Sequence, residues 1–119
     1  MASRGRGARV KGANFERELA KLFREKIGIE AQRGLAQTRG GGAEVADVHM
    51  DYLHIEAKRH KRCSIKNALN QAIEDSKDKE KIPVAITKDD RKPILVTMLF
   101  DDWVELFKEY VAIQESKDT

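Results

Sequence analysis

Hydrophobic positions recur at helical spacing from Phe15 to Ile27: Phe15, Leu19, Leu22, Phe23 and Ile27 fall on one arc when each residue is advanced by 100°. The pattern predicts an amphipathic helix from Asn14, a residue suited to the N-cap, to about Lys26. After Gly28, Ile29 to Arg33 fits a short strand. Gly34 to Glu44 (GLAQTRGGGAE) is glycine-rich and reads as a loop. Alternation then predicts a strand from Val45 to His49, a tight turn at Met50 and Asp51, and a strand from Tyr52 to Arg59. In the latter, Leu53, Ile55 and Ala57 share one face, and Tyr52, His54, Glu56 and Lys58 the other. Ser64 is placed to cap a second helix carrying Ile65, Leu69, Ala72 and Ile73, which ends in the charged run DSKDKEK. Ile82 to Thr87 and Ile94 to Phe100 are rich in β-branched residues and predict two further strands, the second fully buried. Asp102 with Glu105 three residues on matches a capping box and predicts a last helix from Trp103 to about Gln114. Trp103, Phe107 and Tyr110 are expected to belong to the core, with a subunit contact as the other use of their surface. The order is α-β-β-β-α-β-β-α, an α/β (α+β) class with a central mixed sheet flanked by helices.

At 119 residues and 13.5 kDa there is room for one domain and one active site. We assign residues 1–11 to a flexible basic arm, 12–115 to the domain and 116–119 to a disordered tail. The lone Cys63 excludes a disulfide framework. The chain has no apolar run long enough to span a bilayer, and its first residues lack the apolar segment of a secretory signal, so a cytoplasmic protein without a membrane partner is expected.

Charge changes the picture more than composition does. Residues 1–66 hold 15 Lys/Arg against 8 Asp/Glu, whereas residues 67–119 hold 8 against 12. The basic first half points to a polyanion, nucleic acid being the commonest. No phosphate-binding GxxxxGK or dinucleotide-binding GxGxxG stands out, so no small-molecule cofactor is expected. His49, His54, His60 and Cys63 do not have the spacing of a structural zinc site, although His54 could line a catalytic face.

Two features break the hydrophobic pattern. Glu16 falls between Phe23 and Ile27 on the first helix, so its carboxylate is aimed toward the apolar arc unless its place near the helix start keeps it hydrated. Glu56 and Lys58 project from one face of a strand about 6.6 Å apart, and a hairpin turning at Met50 and Asp51 brings Asp47 beside them. Two carboxylates and an ammonium at one edge suit Mg²⁺, which favours carboxylate oxygens and engages phosphates.

These residues together resemble the PD-(D/E)XK nuclease superfamily, and within it the small Holliday-junction resolvases. KGANFERELAKLF is similar to the opening helix that carries an early glutamate. TRGGGAEVADV leads to the motif aspartate, HIEAKRH supplies the Glu-x-Lys, and NALNQA and IPVAI follow in the family's order, from Lys11 to Phe107. Ala46 stands where the nominal motif has proline. The resemblance implies a restriction-endonuclease-like fold and makes Asp47 and Glu56 the metal ligands, with the Ala57 backbone carbonyl. Glu16 completes the acidic cluster, directly or through a water, Lys58 orients or activates the attacking water, and Gln71 reaches back toward the lysine. It implies Mg²⁺, with Mn²⁺ as a substitute, a homodimer, and branched DNA, a four-way junction, as substrate. Arg4, Arg6, Arg9, Lys11, Arg33, Thr38, Arg39, Arg59, Lys61 and Arg62 are the expected DNA contacts. A restriction or repair nuclease on other DNA and a non-catalytic nucleic-acid-binding module are the competing readings.

Overall fold

In the computed structural model, which describes residues 2–33 and 47–117, eight elements follow the expected order. They are α1 (Ala2–Lys26), β1 (Ala31–Arg33), β2 (Val48–Met50), β3 (Leu53–His60), α2 (Ile65–Asp75), β4 (Ile82–Asp89), β5 (Leu95–Met98) and α3 (Phe100–Lys117). The strands form one sheet in the order β1-β2-β3-β4-β5. Only β3 and β4 are parallel, pairing from Leu53↔Ile82 to His60↔Asp89, and the other neighbours are antiparallel.

The parallel pair is the physical centre of the molecule, because a parallel connection needs a crossover and the crossover covers a face. Here α2 is that crossover, and it turns Ala68 and Ala72 inward. On the opposite face α1 lays Phe15, Leu19 and Ala20 over Val48, Met50, Ile55, Val84 and Ile86. Four consecutive residues of β3, His54 to Ala57, are therefore buried, and Glu56 goes inside with the apolar ones. The Arg24 guanidinium donates to the Ala31 carbonyl and ties the end of α1 to the first strand.

Several boundaries differ from expectation. The helix α1 begins at Ala2, so it runs through the segment read as an arm, and Asn14 lies within it rather than capping it. Residues 2–13 contain no proline, and the Ala, Arg and Lys among them are good helix formers, so propagation from the packed turn at Phe15 outweighs the penalty of Ser3, Gly5, Gly7 and Gly12. Gly28 at φ 79° ends the helix region, which leaves Ile27 exposed. The strand β2 is described from Val48, and the turn falls one residue later, on Asp51 and Tyr52, the latter at φ 76°. Ser64 occupies the N-cap of α2 but makes no side-chain capping bond.

The larger corrections concern the C-terminal quarter. The strand β5 is half exposed, since it forms the sheet edge. The helix α3 starts at Phe100, ahead of the expected Asp102 cap, and continues through Lys117 into the segment read as a tail. None of its residues is buried, so Trp103, Phe107 and Tyr110 are not core. The glycine-rich loop, with Thr38 and Arg39, lies outside the described residues. No helix among the described residues is long and apolar enough to cross a membrane.

Candidate active site

Asp47 acquires its position from a defect in strand pairing. Its N–H donates to the Ile55 carbonyl at 2.9 Å, while the next residue, Val48, is the register partner of the same Ile55. Two residues facing one make a β-bulge, a device that re-aims a side chain where a ladder ends. The Asp47 carboxylate is thereby turned across the fork between β2 and β3, and its Oδ2 accepts the Ala57 N–H at 2.8 Å. Ala57 thus contributes a donor here that its sequence position gave no reason to expect.

Glu56 and Lys58 come from one face of β3, and Lys58 Nζ stands 3.1 Å from Glu56 Oε1. Glu56 is 2% exposed. Its side chain also shares a hydrogen bond with Asp47, so the two carboxylates meet. Burial, reinforced by the charge of Asp47 and offset in part by Lys58, pushes the Glu56 carboxyl up to about 7. Burial alone would depress the Lys58 ammonium, yet the Glu56 carboxylate, its hydrogen bond, and the charges of Asp47 and Glu16 outweigh it, and the pKa is raised. Lys58 is therefore an ammonium at neutral pH. It can orient a water or steady developing negative charge, and it cannot take a proton.

Glu16 is buried rather than hydrated at a helix start, since α1 begins at Ala2, and the compensation that burial demands comes from Arg33: Arg33 Nε donates to Glu16 Oε2 at 2.7 Å. Burial raises the Glu16 pKa, and the Arg33 hydrogen bond works against that rise. Sequence reasoning placed Arg33 among DNA contacts and missed this pairing. The available signal was the stranded carboxylate itself, but nothing in the chain says which of many basic residues answers it.

A cleft of about 330 Å³ is lined by Arg9, Glu16, Arg33, Asp47, Lys58 and Arg59, together with Gly12, Ala13, Ala57 and His60. Extension of α1 through residues 2–13 is what brings Arg9 to this cleft. Lys11 is engaged instead in an ion pair with Asp90. Lys61 and Arg62 are exposed just past β3. Gln71 is exposed on α2 and makes no hydrogen bond to Lys58. His54 is buried and does not line the cleft. Arg4 and Arg6 lie on the first turns of α1.

Among the described residues no group of three or more His, Cys, Asp and Glu is arranged as a metal-ligand set. Two carboxylates forced together are nevertheless chemically suited to a hard divalent cation, which would need fewer protein ligands because Mg²⁺ keeps several waters. The Glu56 carboxylate, buried and facing Asp47, fits such a group.

A mixed sheet with a central parallel pair, an opening helix bearing a buried glutamate, and Asp47 meeting Glu56-Ala57-Lys58 at a strand fork define a protein of the PD-(D/E)XK nuclease class. Residues 7–118 match the family described as "Phage putative PDDEXK endonuclease", and the chain belongs to that family. No curated protein and no solved structure matches the chain.

Proposed function

We propose that this chain is a divalent-metal-dependent DNA endonuclease that resolves four-way junctions, acting as a homodimer whose two sites nick opposed strands. The observation that carries the reading is the contact of Asp47 with the buried Glu56, beside a lysine held charged, at the wall of a cleft that Asp47 and Lys58 line together with Arg9, Arg33 and Arg59. An acidic pair surrounded by cations suits a phosphodiester: the arginines attract the phosphates, and the acidic pair would otherwise repel them.

Asp47, Glu56 and the Ala57 carbonyl would hold Mg²⁺ or Mn²⁺, with Glu16 acting from farther out through its bond to Arg33. When bound, the metal supplies Lewis-acid polarisation of the phosphate and a lowered pKa for the attacking water. Lys58 positions that water or neutralises charge building on the non-bridging oxygen. Glu16 fixes the Arg33 guanidinium so that its remaining N–H donors face the cleft, a preorganisation that a free arginine lacks. The basic side chains would track backbone rather than base edges, which suits recognition by shape.

The test compares a synthetic four-way junction with linear duplex and single strands, in Mg²⁺ or Mn²⁺, for the wild type and Asp47→Asn. Paired nicks on the junction, reduced by at least 100-fold in Asp47→Asn with DNA binding retained, are the expected result. Equal cutting of linear duplex would assign the chain to the restriction or repair type instead. Asp47→Asn cutting as well as wild type would remove the site.

A further inference from the structure

We infer that α3 is an exchanged arm: it docks on a second copy of this chain, in the apolar groove between α1 and the β4–β5 edge, while its own groove receives the partner's α3. This deepens the proposed homodimer by naming the surface that forms it, and it rests on that reading only for its purpose.

The first observation is an apolar helix face that packs on none of the described residues outside its own helix. Phe100, Trp103, Leu106, Phe107, Tyr110 and Ile113 are each 45% to 72% exposed. Among the described residues, the rings of Phe100, Trp103, Phe107 and Tyr110 stack on one another along the helix, with centroids 5.0 to 6.1 Å apart. Monomeric proteins rarely expose so large a contiguous patch. Six side chains with roughly 100 Å² each still accessible, extended by Leu95, Val96 and Leu99, offer about 800 Å² per chain, the amount each partner gives to a standard stable interface.

The second observation is a groove that none of the described residues covers. Leu19, Leu22, Phe23, Ile86, Ile94 and Val96 line a depression of about 160 Å³, with Lys26 and Ile27 at its rim. It lies on the side of the sheet that α1 covers only in part, and Val96 is 63% exposed there. A single residue, Leu99, separates β5 from α3, and the Trp103 N–H already donates to the Leu99 carbonyl at 3.0 Å. There is no loop in which the chain can reverse and lay α3 on its own sheet. The molecule is accordingly long, 62 × 34 × 26 Å, with a radius of gyration of 15.7 Å against about 13.5 Å for a compact chain of this length.

Charge selects the occupant. The helix α3 carries five Asp/Glu and two Lys, whereas the part of α1 that walls the groove, from Leu19 onward, carries Lys21, Arg24 and Lys26 against Glu25, with Lys26 on the groove itself. An acidic helix repels DNA and another acidic helix, and it complements a basic groove wall. Reciprocal exchange satisfies both unpartnered surfaces under one twofold axis and leaves no open end.

The experiment uses the full chain and its single tryptophan, Trp103. Sedimentation should give a dimer, with Trp103 emission shifted to the blue and reverting on dilution. Phe100→Glu/Phe107→Glu should weaken association by at least 100-fold and expose Trp103. In a Cys63→Ser background, Phe107→Cys with Val96→Cys should cross-link between chains. A monomeric wild type, a dimer indifferent to the double substitution, or a cross-link confined within one chain would each overturn the exchange. None of these readouts uses cleavage, so they stand or fall apart from the junction assignment. If both are right, the double variant still nicks junctions but no longer cuts in pairs.

Discussion

At the scale of single residues, the site is organised by how buried charges are answered. Glu56 is answered by Lys58, against the like charge of Asp47, and Glu16 is answered by Arg33. For Glu56 the native pKa of about 7 lies above the ordinary 4.5, so the folded chain binds more protons than the unfolded one between those values. Its stabilising contribution is complete below pH 4.5 and is lost as pH rises through 7. Glu56→Gln should therefore stabilise the metal-free protein at pH 8 by about 1–2 kcal/mol, after allowing for the missing Lys58 pairing, and have little effect at pH 4.5. Urea unfolding at the two pH values checks this; equal effects would mean that Glu56 titrates normally. Arg33→Ala leaves the Glu16 carboxylate buried and unpaired and should cost about 2–4 kcal/mol in the same assay, whereas Glu16→Gln/Arg33→Ala should recover part of that loss. Glu56 and Lys58 were legible because a strand's alternation puts i and i+2 on one face. The Arg33 partner was not, because 17 residues of chain separate the pair and only the packing of β1 on α1 closes that distance.

Among the elements, periodicity located the strands and helices well where one face is buried and poorly where none is. The buried turn of α1 at Phe15 and Leu19 carried a clear signal, while residues 2–13 carried none and are helical by continuation. A Cβ at Gly7 or Gly12 would meet nothing within 4 Å. Gly7→Ala/Gly12→Ala should therefore raise stability by about 1–2 kcal/mol and increase helical circular dichroism. No change in either would show that this segment does not hold as helix in solution. The strand β5 misled for the opposite reason: a run of β-branched and aliphatic residues signals burial against something, and the described residues leave Leu95 and Val96 exposed.

For the whole molecule, the division of charge between a basic first half and an acidic second half becomes a division of labour in space. Basic α1 and the end of β3 rim the cleft, and acidic α3 contributes none of its lining residues. DNA affinity should fall steeply with salt, and Arg9→Ala should reduce the slope of log K against log[salt] by about 0.9, the amount expected when one fewer phosphate is neutralised. An unchanged slope would take the N-terminal half of α1 off the DNA path.

By itself, the sequence determined the order of elements, the mixed α+β class, and the trio Asp47, Glu56 and Lys58, because alternation, turn chemistry and charge out of place are all local in the chain. Tertiary structure alone decided that a bulge aims Asp47 at Ala57, that Arg33 rather than another basic residue holds Glu16, and that the aromatic stripe of α3 faces outward. Each of those depends on which distant segments come together, and a linear pattern records that a surface must be covered without recording what covers it.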